Sequence, residues 1–331
     1  MFWIIRQLCN LQGVAFALCL ATLVLMGASG VARADSFSFV ALGDLPYGFD
    51  ATAGAQYRAL IQKINQTQPL FSVHVGDFKA GYTPCSDQEF AKQRGHFDLF
   101  EQAVVYTPGD NDWTDCHRLS NGNYDPQERL ARLREVFFYP HQSLGQHPMP
   151  VESQPQVMPA YRAFVENQRW QISRTLFVTL HLVGSNNNYD FLNATAQKEF
   201  RERERANIAW IQDAFRLADE RKLQAVVFAF QADVFRSASL QETYPRASGF
   251  RNSVGLTLLP LARAFGKPVL IVHGDSHEFK FNQAFYLDQK RLLNVYRLEV
   301  PGDFSTEAVR VQVDEGKAAP FTVRLLDTRH R

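Results

Sequence analysis

Residues 70–77 read LFSVHVGD and residues 37–44 read FSFVALGD. Each is an apolar, strand-like run that closes on Gly-Asp. The pattern returns at 103–112, AVVYTPGDND, and at 269–277, VLIVHGDSH. Glycine lets the backbone turn sharply where a strand ends. The carboxylate behind it is then held at the strand's carboxyl end, where open α/β sheets place their ligands. One such match carries little. Four in one chain predict several strands aiming acidic groups at one point. Asp44, Asp77 and Asp110 are spaced by 33 residues, room for one strand, one helix and their loops. The intervening helices share no pattern, so this spacing is not a sequence repeat.

Outward from these turns, strands are predicted over 37–42, 70–75 and 103–106. Helices are predicted over 53–67, with Tyr57, Leu60, Ile61 and Ile64 on one face, and over 87–99. Residues 113–170 are rich in turn formers, and only Gln127–Phe138 reads as helix. Such a stretch is either a cap or binding loop beside a site or a packed surface excursion. Alternation then resumes: strand 175–183, a long charged helix 196–218, strand 224–230, a short helix 256–265 and strand 268–272. The tail reads as strands over 292–300, 308–313 and 321–326. Strands alternating with helices, then strands alone, predict an α/β layer structure with a β-rich end. No Ser/Thr/Pro-rich linker divides it, so residues 35–331 are expected to form one domain.

The beginning of the chain reads differently. Arg6 precedes an apolar run of 13 residues, Val14–Met26, which is short for a membrane span. Ala32-Arg33-Ala34 puts small residues at the −3 and −1 positions of a cleavage site. Residues 1–34 are therefore expected to be a signal peptide cut before Asp35, with an uncleaved anchor as the alternative. The mature chain is expected in the periplasm or secreted. Losing Arg6 and Arg33 takes the basic residues from 35 to 33, against 34 acidic ones. That balance gives no basic patch for nucleic acid and no attraction to an anionic membrane. No later segment is apolar enough for a membrane span. Of four cysteines, Cys85 and Cys116 remain, and in an exported chain two are more often bridged than left as buried thiols. A bridge would close a 31-residue loop and tie together two turns that carry Gly-Asp.

Clustered Asp, Asn and His at strand ends suit a hard divalent metal. Asp44 and Asp77 are the leading ligand candidates, and Asp77, on a central strand, suits a bridge between two ions. Asp110 offers a carboxylate, Asn111 an amide oxygen and His277 an imidazole on the same turn as Asp275. Each, taken alone, also fits a turn former, and the Asp and Asn residues fit a helix cap.

The order Gly-Asp, Gly-Asp, Gly-Asp-Asn-Asp and Gly-Asp-Ser-His resembles the calcineurin-like metallophosphoesterases over about Phe37–Phe281. That family uses Gly-Asp-x-His, Gly-Asp-x-x, Gly-Asn-His-Asp/Glu, a lone His after a strand, and Gly-His-x-His. The resemblance implies an α/β fold in which two mixed sheets pack as a sandwich flanked by helices, with a two-metal centre at the strand ends. It implies hydrolysis of a small phosphorylated substrate, a hydroxide generated at the metals attacking phosphorus in line. Carried over, Asp44 and His277 hold the first metal and Asp77 bridges. At the third turn either Asp110 or Asn111 takes the ligand's place.

This chain departs from the family toward oxygen. Tyr47 stands where the first motif has His, Gln231 where the lone His is expected, and Asp275 where the last motif has its first His. A site drawn from Asp44, Asp77, Asp110 or Asn111, Gln231, Asp275 and His277 favours Mn²⁺ or Mg²⁺ over Zn²⁺, Fe or Ca²⁺, as one ion or two. The family's proton donor is replaced by Asn111 or Asp112, and Asp112 would need a raised pKa to act as general acid. Lys79 is placed to meet a substrate phosphate or solvent. Asn186 and Asn187 fit phosphate contact or an Asx-type turn, and His273 sits behind the last strand's end. The alternative function is a catalytically silent phosphate- or nucleotide-binding protein on the same scaffold.

Overall fold

The computed structural model describes residues 36–48, 51–235, 244 and 246–327. The expected signal peptide lies outside the described residues. The first strands are β1 (Ser36–Leu42), β2 (Phe71–His74), β3 (Ala103–Tyr106), β4 (Glu152–Ser153), β5 (Gln168–Ile172), β6 (Thr175–Thr179) and β7 (Ala225–Ala229). They are followed by β8 (Val269–His273), β9 (Lys280–Asn282), β10 (Tyr286–Leu287), β11 (Lys290–Arg291), β12 (Val295–Glu299), β13 (Glu307–Asp314) and β14 (Phe321–Asp327).

Two mixed sheets form the centre. One has the order β14-β13-β1-β2-β3, the other β4-β5-β6-β7-β8-β12-β9. Within the first, β1, β2 and β3 are mutually parallel. Within the second, β6, β7, β8 and β12 are parallel. Parallel strands covered on both faces read as continuous apolar runs, and VLIVH of β8 is buried throughout. The sheets face each other through Phe39, Phe71, Val73 and Val105 on one side and Trp170, Phe177, Val227 and Leu270 on the other. Phe71 meets Phe177 edge-on, ring centroids 4.9 Å apart.

Helices cover both outer faces, giving four layers. Tyr57, Leu60, Ile61 and Ile64 of helix Ala51–Gln66 pack with Phe97 and Phe137 over the first sheet. Trp210, Ile211 and Phe215 of helix Ala194–Glu220 pack with Leu258 and Phe265 over the second. No helix among the described residues is long and apolar enough to cross a membrane.

Two local expectations change. The strand expected over 175–183 stops at Thr179. Leu180, Leu182 and Val183 beyond it are fully buried, and only the Leu180 N–H still reaches β7, donating to the Ala229 carbonyl (2.9 Å). Strand β5, at the end of the irregular 113–170 stretch, was hidden by its polar letters. Its Arg169 is 4% exposed and ion-paired to Asp213 at 2.6 Å. Within that stretch, helix Pro126–Phe137 starts on an Asp125 cap and buries Leu130, Leu133 and Phe137.

Candidate active site

The parallel strands deliver their following residues to one edge: Asp44 after β1, Asp77 after β2, Asp110–Asp112 after β3, Ser185 after β6, Gln231 after β7, Asp275 and His277 after β8, and Asp303 after β12. The glycines do a different job from the one expected. Of the four that precede these acids, only Gly76 has a positive φ, 99°. The left-handed residues are the candidate ligands themselves: Asp44 (54°), Asp77 (54°), Asp275 (75°) and His277 (64°). Such backbone costs on the order of 1 kcal/mol per residue and persists only where its surroundings over-determine it. Here the Asp44 N–H donates to the Gly76 carbonyl (3.0 Å) and the Asp303 N–H to the Asp44 carbonyl (3.0 Å). The glycines clear space for a neighbouring turn's carboxylate. A Cβ on Gly109 would lie 1.9 Å from Asp77 Oδ1, and one on Gly274 2.1 Å from Asp44 Oδ2.

Asp77 sits at the centre. Its Oδ2 accepts from the Tyr47 hydroxyl (2.9 Å), Asn111 Nδ2 (2.8 Å) and Gln231 Nε2 (3.2 Å), and its Oδ1 from the Asn111 N–H (3.1 Å). Asp110 accepts from Gln231 Nε2 (3.0 Å) and the Ser185 hydroxyl (2.7 Å). Asp44 accepts the Asp275 N–H on both oxygens (3.2 Å each) and lies 3.4 Å from His277 Nε2. Asp275 Oδ2 accepts the Asp233 N–H. Among the described residues, no three His, Cys, Asp or Glu side chains are already arrayed as a metal's ligand shell.

The remaining predicted residues hold the turns. Asp112 is fully buried. Its Oδ2 accepts from the Asp77 N–H, the Gly109 N–H and the Tyr106 hydroxyl, and its Oδ1 from the Phe78 N–H. Lys79, 1% exposed, is an interior counter-charge close to Asp112 and Asp77 and not a solvent-facing group. Asn187 accepts from Arg203 and donates to the Gly249 carbonyl, while Asn186 donates to Ala247 and accepts from Gly249. Both tie down the left-handed run Ser185–Asn188, which leaves Ser185 to reach Asp110. His273 accepts from Arg297 Nε (2.8 Å) behind the fourth turn.

Negative charge dominates the cluster. Burial, then the nearby Asp110, Asp112, Asp44 and Asp275, hold the Asp77 carboxyl well above its usual range. Burial also raises Asp44, against the pull of His277. Burial lowers His277, but the Asp44 hydrogen bond and the charges of Asp44, Asp303 and Asp275 outweigh it and its pKa rises. Burial pushes Asp112 up to about 6 and Asp115 up to about 7.

Cys85 and Cys116 are bonded, Cα atoms 5.7 Å apart. The bridge joins the segment after Asp77 to the one after Asp112 and lies within the outer core. On the chain-entropy model its 31-residue separation contributes roughly 3–4 kcal/mol. Replacing both cysteines by serine is expected to lower the denaturation free energy by about that amount, measured by urea unfolding. A loss under about 1 kcal/mol would remove the bridge from the forces holding the site.

Asp303 was missed, although the signal was present: VPGDFS at 300–305 is a fifth Gly-Asp behind a strand. Its φ is 53°, and its Oδ2 lies 3.8 Å from His277 Nδ1. A Cβ on Gly302 would lie 2.4 Å from Asp44 Cβ, so this glycine too is required by close approach.

With this geometry in view, the fold is that of the calcineurin-like metallophosphoesterases. A dimetal phosphatase from Danio rerio superposes with a TM-score of 0.51 at 12% identity, over 87% of this chain and 98% of that one. The purple acid phosphatase from yellow lupin (Lupinus luteus) seeds matches 89% of this chain and 52% of its own, at 12% identity and a TM-score of 0.45. The anchor in the inner membrane complex of Plasmodium matches 89% and 90%, at 10% identity and a TM-score of 0.48. No family model matches the sequence, and no curated protein does.

Proposed function

We propose that this chain is an exported, divalent-cation-dependent phosphoesterase that acts on small esters with good leaving groups. The observation that carries the reading is the convergence of the buried Asp44, Asp77 and Asp110 with the half-buried Asp275 in one cluster whose charge Lys79 and His277 do not balance. Carboxylates pressed together this closely are what a divalent cation relieves. The donor set, carboxylate oxygens with one imidazole, fits a hard ion such as Mn²⁺ or Mg²⁺. Asp44, Asp275 and His277 would hold it, with Asp77 beside them. When bound, such an ion supplies Lewis acidity to a phosphoryl oxygen and lowers the pKa of a water.

The chain's own residues set the substrate preference. Asp112 is fully buried and held by three backbone N–H groups and a phenol, so its carboxyl is committed to the protein interior and has no open face toward a leaving oxygen. Asn111 and Gln231 donate hydrogen bonds but carry no transferable proton. A general acid contributes roughly 10²–10⁴-fold, and esters of basic alcohols forgo it here. A cavity of about 340 Å³, lined by Asp115, His117, Arg118, Asn188 and Asp190, opens beside Ser185 and offers room for the ester's organic part.

With Mn²⁺ present, 4-nitrophenyl phosphate is expected to be hydrolysed at least about 100-fold faster than an alkyl phosphate of similar size. Steady-state rates over a series of leaving groups check this, and equal rates would mean that a proton donor is present. The second reading, a silent phosphate-binding protein, draws on one observation: neutral donors already meet both oxygens of Asp77. Saturable phosphate binding without turnover of any ester would favour it.

A further inference from the structure

Gln231 joins the two sheets at the centre of the site, and each of its polar atoms is committed. Its Oε1 accepts the Gly184 N–H (2.5 Å), and its Nε2 donates to Asp77 Oδ2 (3.2 Å) and to Asp110 Oδ1 (3.0 Å). The residue is fully buried. Its N–H donates to the Leu182 carbonyl and its carbonyl accepts the Gly274 N–H, so the backbone is fixed from both sides. A Cβ on Gly76 would lie 2.9 Å from Gln231 Cβ, so the Gly76 turn packs directly against this side chain.

These contacts settle which way the amide faces. Turned over, it would set its NH₂ against the buried Gly184 N–H and its oxygen against two carboxylates, losing three hydrogen bonds and adding repulsion. Gln231 is therefore held as a donor between Asp77 and Asp110. It cannot offer its oxygen to a metal, contrary to the ligand role its position suggested. Asn111 Nδ2 and the Tyr47 hydroxyl crowd the same oxygen of Asp77. Asp44 differs: its side-chain contacts are one shared backbone N–H and His277 at 3.4 Å.

Building on the cation-dependent reading above, we infer that this site takes one divalent ion, not two. The ion belongs to the side formed by Asp44, Asp275 and His277. The Gln231 amide stands in for a second ion, tying Asp77 to Asp110 with two N–H donors in place of a shared positive charge.

The test is a metal count on the full-length mature chain. Metal-free protein is saturated with Mn²⁺, freed of excess by gel filtration, and assayed by elemental analysis and electron paramagnetic resonance. The expected result is one Mn²⁺ per chain with the six-line spectrum of an isolated ion. Gln231→His removes the clamp and adds an imidazole, and is expected to bring the count to two with the broadened spectrum of a coupled pair. Gln231→Glu, which exchanges the N–H donors for a carboxylate, should do the same and serves if the histidine variant does not fold. Two ions in the unaltered protein would overturn the inference and leave the phosphoesterase reading standing. No ion at all would overturn both. A count that stays at one in both folded variants would remove Gln231 as the determinant.

Discussion

Replacing Asp77 by asparagine is expected to lower Mn²⁺-stimulated hydrolysis of 4-nitrophenyl phosphate on the order of 10³-fold, the scale set by loss of a central electrostatic group in a buried site. It should also flatten the pH dependence of stability in the metal-free protein. Asp77 is where the two sheets meet chemically: groups from the first turn (Tyr47), the third (Asn111) and the second sheet (Gln231) all converge on its Oδ2. The sign of the pH effect follows from burial and mutual repulsion, which raise the folded-state pKa of Asp77 and Asp44 above that of an unfolded carboxyl. A raised pKa means that the folded state binds the proton more tightly than the unfolded chain does. The resulting stability is fully present below about pH 4 and is lost as pH rises through the folded value. Asp112, pushed up to about 6, and Asp115, up to about 7, add losses of their own between about pH 4 and 7. Metal-free protein should therefore melt at lower temperature at pH 7.5 than at pH 5, and Mn²⁺ should abolish the difference. In Asp77→Asn one charge is gone and its repulsion on Asp44 with it, so the pH 5 to 7.5 drop should shrink. Melting curves at the two pH values, with and without Mn²⁺, check this. An unchanged drop would mean that the acidic cluster is not strained by its own charge.

The fold was legible because its strands are buried on both faces. FSFVAL, FSVHV and VLIVH are apolar apart from Ser38, Ser72, His74 and His273, the near-continuous run that a doubly covered parallel strand requires. The convergence of the acids was legible for the same reason, since a carboxylate directly behind such a strand has little cause to be there for solubility. Legibility failed where burial and periodicity part company. Leu180–Val183 extend an apolar run without extending a strand, and Gln168–Ile172 form a strand with a buried arginine in it. Asp303 carries the same Gly-Asp signal as the others, but behind a strand of the β-rich tail, away from the regular alternation of strand and helix. Orientation was the part that no residue letter holds. Gln231 stands where a ligand was expected, and only its partner Gly184, 47 residues away, determines that an N–H and not an oxygen faces the acids. The role of Asp112 was hidden in the same way, because its partners are backbone groups of turns 34 and 35 residues earlier.

Asp112→Ala is expected to unfold the site, and with it much of the chain. The substitution strands the N–H groups of Asp77, Phe78 and Gly109 and the Tyr106 hydroxyl in a fully buried position. Each unsatisfied donor costs about 1–3 kcal/mol, so the total is on the order of 5 kcal/mol, comparable to the whole stability of many proteins. Lys79 would also lose the carboxylate that most favours its charge. Asp112→Asn is the informative variant. One oxygen can keep the donors now on Oδ2, but the NH₂ then faces the Phe78 N–H, a cost of about 1–3 kcal/mol. The melting temperature should fall, and activity should fall with it because the turn that presents Asp77 is displaced. What should not change is the dependence of rate on leaving group, nor the shape of the pH–rate profile, because Asp112 is fully buried and has no face open to the substrate. A raised pKa near 6 is the property a general acid needs; access to the leaving oxygen is the property it lacks. The opposite pattern would return Asp112 to the role of proton donor: an Asp112→Asn protein that melts like the parent, keeps its rate on 4-nitrophenyl phosphate and loses it only on alkyl esters.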